Sequence, residues 1–239
     1  LVRKTIKQTV MTTVYGVTFV GAKQQIYSQL RHLTEPGGVL EHVGDDVIYG
    51  ASGYLAKLTL SSQGELFANA NRMKDWLTSA ADEVARCGQP ISWMTPMGLP
   101  VVQPYRHSAK HRVKTHIQDV TIAVSDDDLP VSKPRQKSAF PPNYVHSLDS
   151  THMMMTALEC RRRGLTYTAV HDSYWTHASN VDDMNEVLRE EFVVLHSQPL
   201  LEQLRSSLIV RYPQANFSAL PEPGDLDLTE VYDSEYFFN

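Results

Sequence analysis

At 239 residues the chain can form one large domain or two small ones, and a hydrophobic content of 42% supports a buried core. Charged residues make up 21%, with 12 glycines and 13 prolines, so the composition is not that of a disordered chain. The formal net charge of −5 argues against a free-standing basic nucleic-acid module.

The average hides an asymmetry. Residues 1–34 hold five cations (Arg3, Lys4, Lys7, Lys23, Arg31) and no acid, whereas residues 221–239 hold six acids and no base. The N-terminal part suits an anion such as phosphate and the tail does not. Cys87 and Cys160 form no CxxC pair, so neither a disulfide framework nor a cysteine zinc site is expected, and a reducing compartment is the default. No apolar run approaches the roughly 18 residues that span a bilayer, and nothing at the N-terminus reads as a cleavable signal. The sequence opens on Leu1 rather than Met and reads as a piece of something longer.

In chain order, residues 3–33 predict a helix interrupted near Gly16, and "EPGG" at 35–38 predicts a turn. Residues 50–88 carry helical spacing through Leu55, Leu58, Leu66, Met73, Leu77, Ala81 and Val84, ending at Gly88 as a C-cap. "ISWMTPMGLPVVQPY" at 91–105 is strand-like. A long hairpin fits 103–137, with "THIQDVTIAV" as a strand and "SDDDLP" as a turn. "PPNYV" marks a boundary, followed by a helix over about 143–163. In "TYTAVHDSYWTHA" at 166–178, His171-Asp172-Ser173 predicts a tight turn between two strands. A helix starts near Asn180, runs with its continuation to about Val210, and ends by Pro213. The tail is a loop plus a short element.

Arg3, Lys7, Met11 and Tyr15 are spaced by four. At about 100° per residue they form a stripe about 120° wide. Ile6, Val10, Val14 and Val17 fall on a neighbouring arc that predicts the core face. A solvated basic face is the plain reading of two cations on a helix. Tyr15-Gly16 at the end of the stripe weakens it: a ring beside a residue with no side chain offers a flat surface and a flexible joint. Two cations for phosphates and a ring for a base describe a nucleotide-binding helix.

"RKTIKQTVMTTVYG" resembles motif B on the fingers helix of the single-subunit, phage-type RNA polymerases, and most of all the mitochondrial members. The resemblance extends over "WMTPMGLPV" at 93–101, "PPNYVHSLDSTHMM" at 141–154, "HDSYWTHA" at 171–178 and the terminal "YFF", in the family's order and over essentially the whole chain. It implies a mainly helical α+β fold: the fingers over 1–140, then the C-terminal part of the palm of a right-hand polymerase over 141–239, with an antiparallel catalytic hairpin and an acidic tail. It implies DNA-templated RNA synthesis from ribonucleoside triphosphates with two Mg2+ ions. Template DNA and nascent RNA are the implied partners, with mitochondrial initiation factors and no membrane, in the mitochondrial matrix.

By the same resemblance Arg3 and Lys7 contact the triphosphate, where fixed cations stabilise the charge of leaving pyrophosphate. Tyr15 stacks at the insertion site beside Met11 and helps select ribose, while Gly16 lets the helix end change shape. His146 matches the histidine near the ribose 2′-hydroxyl, against the alternative of a residue that caps a helix N-terminus. Asp172 matches the second metal-binding aspartate. A hard ion takes carboxylate oxygens, so His171 is left to orient the primer end, with Ser173 in support. The seven Lys/Arg of 103–137 (Arg106, Lys110, Arg112, Lys114, Lys133, Arg135, Lys137) fall where the family has a specificity hairpin that reaches toward DNA.

The Asp-Gly-rich block followed by Gln-His, which carries the family's first catalytic aspartate, does not occur in the sequence. The expectation is therefore the C-terminal part of a longer polymerase, inactive by itself. Three alternatives stand beside it. A family-A DNA polymerase has a similar helix, but with an aromatic in place of Met11 and a His-Asp-Glu turn. A non-catalytic nucleic-acid-binding remnant is disfavoured by the intact Arg3, Lys7, Tyr15 and Asp172. A metal hydrolase built on the ten histidines lacks any HxH or HExxH spacing.

Overall fold

The computed structural model describes residues 3–13, 16–125 and 129–237. The fold is mainly helical α+β, and the chain divides into two compact units, Leu1–Asp75 and Trp76–Asn239.

The first unit is built from α1 (Arg3–Thr13), α2 (Phe19–His32) and α3 (Asp45–Leu66). The interruption expected at Gly16 is present. Gly16 has φ +80°, and its amide closes a turn onto Thr13. Thr18 then caps α2, accepting from the Gly21 amide at 3.2 Å. The core holds Ala22, Ile26, Leu30, Ile48 and Ala56.

The core face of α1 differs from expectation. Its buried residues are Thr5 and Thr9, with Ile6 half-buried; Val10 is exposed, and Val14 lies outside the described residues. The seat is polar. Thr9 and Thr12 both donate to Gln25 Oε1 of α2, at 3.2 and 3.1 Å, and Gln63 of α3 donates to the Val10 carbonyl at 3.3 Å. Threonines can turn inward because their hydroxyls find partners there.

The single helix expected over 50–88 is two, α3 and α4 (Ala68–Arg86), separated at Phe67, whose ψ of 40° leaves the helical region. Gly64, Asn69 and Asn71 around the break are poor helix formers. The end at Gly88 is as expected, with φ +74°.

In the second unit β1 (Ser92–Met94) pairs antiparallel with β2 (Pro100–Val102), and β3 (Ser108–Lys114) with β4 (Asp119–Ser125). The long hairpin is therefore present but shorter than 103–137. Its turn is Thr115–Gln118, not "SDDDLP", of which 126–128 lie outside the described residues. Thr115 explains the turn: its hydroxyl oxygen accepts from the Gln118 amide at 2.9 Å.

Lys133, Arg135 and Lys137 belong to α5 (Lys133–Arg162) and not to the hairpin; Lys137 faces Asp82 at 3.5 Å. That helix starts ten residues before the expected Asn143 and carries Pro141 and Pro142 in its interior. Each proline removes one helix hydrogen bond, at a cost of roughly 3 kcal/mol. Phe140 is fully buried beside them, with Trp93 and Tyr144 rings at 5.2 and 6.1 Å, and this aromatic packing offsets the cost.

Below the same helix end a buried amide pair ties in the base of the β3–β4 hairpin. Gln103 Nε2 donates to the Gln136 side-chain oxygen at 2.8 Å, and Gln136 Nε2 donates to the Gln103 carbonyl at 2.7 Å.

α5 closes at Gly164, φ +73°, where the Leu165 amide reaches back to Cys160 and the Gly164 amide to Arg161. The chain turns there into β5 (Thr168–Val170), which pairs antiparallel with β6 (Ser173–Trp175). A 3-10 turn at Ala178–Asn180 leads into α6 (Val181–His196). α7 (Leu200–Arg211) is the expected continuation, after a break at 197–199, and α8 (Glu230–Asp233) is the short terminal element. No described helix is long and apolar enough to cross a membrane.

Candidate functional site

On the first unit, Arg3, Lys7 and Met11 are all exposed on one side of α1, opposite the buried Thr5 and Thr9. The cationic stripe is therefore available to a ligand. Tyr15, its fourth member, lies outside the described residues.

On the second unit, the β5–β6 turn contains two residues, His171 and Asp172; Ser173 already belongs to β6 and pairs with Val170. His171 has φ +54°, unlike any other described non-glycine residue. A positive φ at the first of two turn positions is where glycine normally sits. Holding another residue there costs on the order of 1–3 kcal/mol. The turn lifts Asp172 to an exposed position at the end of the strand pair.

Three-residue strands in a lone two-stranded sheet are marginal, so the support must come from beneath. Thr176 donates to the Thr166 carbonyl at 2.6 Å and closes the base of the hairpin. The inward side chain of β6 is Tyr174. It meets the Tyr167 ring at 6.1 Å and the His152 ring of α5 at 6.3 Å. Burial raises the Tyr174 hydroxyl above its ordinary range, with the Asp149 and Asp172 carboxylates adding in the same direction.

α5 carries the rest. His146 is exposed in the middle of this helix, not at its N-terminus, so the capping alternative falls away. It borders a groove of about 440 Å3 between Leu99–Val101 of the β1–β2 hairpin and the α5 face bearing Asn143, Ser150 and Met154. One helical turn on is Asp149, which the sequence reading quoted within "PPNYVHSLDSTHMM" but gave no role. Its carboxyl is raised above the ordinary range by burial on its inner side. His146, His196 and His152 oppose that shift, and the Asp172 carboxylate reinforces it. The spacing His146-x2-Asp149-x2-His152, which sets Asp149 between two histidines about 60° away on either side around the helix, is the signal that could have drawn attention to it.

The basic hairpin is mixed in character. Lys114 is exposed. Arg112 makes a two-pronged pair with Asp119 across the strands, Nε to Oδ1 being 2.8 Å, so its charge is answered within the hairpin. Arg106 donates to the Leu129 carbonyl at 2.8 Å and closes the hairpin base. The Lys110 side chain lies outside the described residues.

A carboxylate held exposed on a tight turn and an exposed Arg/Lys stripe are the pieces that resemblance to the phage-type polymerases calls for. Comparison with known proteins decides the family. A family model described as DNA-dependent RNA polymerase matches residues 1–219.

The chain belongs to that family.

As a member of the RNA polymerase family it is 49% identical over 237 residues to DNA-directed RNA polymerase 2B, chloroplastic/mitochondrial, of Nicotiana tabacum, covering 99% of this chain and 22% of that relative. It is 50% identical, over 99% of this chain, to DNA-directed RNA polymerase 1, mitochondrial, of Nicotiana sylvestris, and covers 23% of it. DNA-directed RNA polymerase 2A of Nicotiana tabacum is 49% identical, with 69% of its length covered. The chain thus spans under a quarter of the first two RNA polymerases. The family match sets aside the DNA-polymerase and hydrolase alternatives.

Proposed function

We propose that the chain is the part of an organellar RNA polymerase that grips the incoming ribonucleoside triphosphate and supplies one of two catalytic carboxylates for DNA-templated RNA synthesis. The observation that carries this is Asp172, held exposed on a strained two-residue turn in a chain whose first 219 residues match the polymerase family. In this reading α1 belongs to the fingers, and α5 with the β5–β6 hairpin to the palm of a right-hand fold.

Arg3 and Lys7 bind the triphosphate and are placed to stabilise negative charge as pyrophosphate leaves. Tyr15 and Met11 line the insertion site, and Gly16, with no side chain and a positive φ, lets the end of α1 reorient. His146, beside the groove on α5, reads the ribose 2′-hydroxyl. His171 orients the primer end, with Ser173 fixing the strand below it.

The exposed Asp172 carboxylate is a hard oxygen donor and fits a divalent ion such as Mg2+. Among the described residues no group of three or more His, Cys, Asp or Glu is placed to hold a metal. In this reading the chain supplies one ligand, Asp172, to a two-ion site, and the other aspartate belongs to the Asp-Gly-rich block that does not occur in the sequence. When bound, such ions stabilise the attacking and leaving oxygens of an in-line displacement.

Template DNA and nascent RNA are the partners, and Lys110 and Lys114 on the β3–β4 hairpin contact their phosphates. Initiation factors are further partners. Relatives are named mitochondrial or chloroplastic/mitochondrial, which supports an organellar location, the mitochondrial matrix being the reading favoured by motif resemblance. The test is primer extension by the full-length polymerase carrying Asp172→Asn. Loss of synthesis with ribonucleotide binding retained supports the assignment, and near-normal turnover refutes it.

A further inference from the structure

The strained turn needs a foundation, and the side chain under it is a histidine, His152, to which the proposed function gives no part in nucleotide binding. His152 is 4% exposed, on the face of α5 beneath the hairpin. A carbonyl can only accept, so His152 Nε2 carries the proton it donates to the Leu188 carbonyl of α6 at 2.9 Å. The same ring meets Tyr174 of β6 edge-on at 6.3 Å and Phe192 of α6 at 5.7 Å. Burial lowers its basicity, and the hydrogen bond to the Leu188 carbonyl opposes that shift. Phe192 is backed in turn by Phe237 at 5.0 Å.

One side chain therefore contacts all three elements that fix Asp172: the helix beneath it, the helix beside it, and the strand that carries it. Tyr174 is two residues beyond Asp172, and side chains alternate along a strand. The wall that stops Tyr174 from sinking or rocking thereby sets the height and tilt of the turn.

We propose that His152 is a positioning residue. Through its bond to Leu188 and its ring contact with Tyr174, it locks the β5–β6 hairpin at the height where Asp172 works. The inference rests on the reading of Asp172 as a catalytic carboxylate, but its test separates the two.

The experiment uses the full-length polymerase with His152→Ala and His152→Phe, beside the wild type and Asp172→Asn. Three quantities are read: kcat, KM for ribonucleotide, and amide hydrogen exchange over residues 168–175. His152→Ala is expected to lower kcat by about 10-fold or more, since a misplacement of about 1 Å can cost 10²-fold. KM should stay within about twofold, and the hairpin amides should exchange faster while those of α6 stay protected. His152→Phe keeps the aromatic wall but loses the bond to the Leu188 carbonyl, so it should restore part of the kcat lost in His152→Ala, and no recovery at all would overturn the role of the ring contact. Unchanged kcat, a change confined to KM, or a kcat loss without faster hairpin exchange each overturns the proposal. Should His152→Ala fail to fold, Tyr174→Leu removes the same contact from the strand side and is judged by the same outcomes. An active Asp172→Asn enzyme would sink the underlying reading instead, whatever His152 does.

Discussion

Asp172 and Lys7 are opposite in charge and are predicted to fail differently. Asp172→Asn keeps the shape and hydrogen-bonding reach of the side chain and removes only the charge that a divalent ion requires. Synthesis by the full-length enzyme should fall to background while ribonucleotide affinity, measured by equilibrium binding, changes little. In the proposed role, Lys7→Ala removes a cation whose value would grow as pyrophosphate departs. Loss of one such preorganised group lowers turnover by about 10²–10³-fold, and the deficit should appear in single-turnover kcat rather than in binding alone. At this scale the turn was legible, because His-Asp-Ser between β-rich flanks signals it. The positive φ of His171 was not, since nothing in a sequence shows which non-glycine residue will be forced there. Asp149 was also passed over, because its proximity to Asp172 depends on how α5 lies under the hairpin.

Among the elements, α5 shows where reading from sequence stops. Pro141-Pro142 is a sound helix-boundary signal by local rules. It was overridden because Phe140, Trp93 and Tyr144 meet only once the chain has folded, and Trp93 lies far away in sequence. The face of α1 failed similarly: valines outrank threonines in any hydrophobic pattern, but Gln25 on the next helix gives Thr9 and Thr12 their partners.

Two predictions belong to this level. Gln103 and Gln136 satisfy each other in the interior, so removing either leaves a buried polar group without its bond. Gln103→Ala and Gln136→Ala should each cost about 1–3 kcal/mol, and the double variant should cost less than their sum. Chemical denaturation of the four proteins in that cycle measures it.

The second concerns the ionic clamp at the far end of α5. Glu159 accepts from Arg162 Nε at 2.6 Å and Arg163 Nε at 2.7 Å, and Arg163 also reaches Glu186 and Glu190 of α6. Its hydrogen bonds to Arg162 and then Arg163 hold the Glu159 carboxyl down at about 2. Because the folded value lies below the unfolded one, the contribution is complete above the ordinary glutamate range. It is lost as pH falls through about 2. Thermal melts should show wild type and Glu159→Gln converging as the pH drops from about 5 toward 2.

Across the whole molecule, the cationic stripe belongs to one compact unit and Asp172 to the other, about 165 residues later. The family and its order of motifs were legible because each motif is a short run with its own chemistry. The division at Asp75–Trp76 was not, because contact density leaves no local mark in the sequence. The chain spans 22% of the length of one relative and 23% of another. Two-ion chemistry needs two carboxylates held a few ångströms apart, and the Asp-Gly-rich block expected to carry the first of them does not occur in the sequence. These 239 residues alone are therefore expected to give no RNA synthesis above background with any primed template and added Mg2+. The full-length protein should extend the same primer in a parallel reaction. The comparison is informative because nucleotide-binding groups remain on the chain: Arg3 and Lys7 should still retain weak, salt-sensitive affinity for ribonucleoside triphosphate, read by fluorescence anisotropy of a labelled nucleotide. Mg2+-dependent extension by the chain alone would show that a second carboxylate within it, Asp149 being the nearest candidate in electrostatic terms, completes the site.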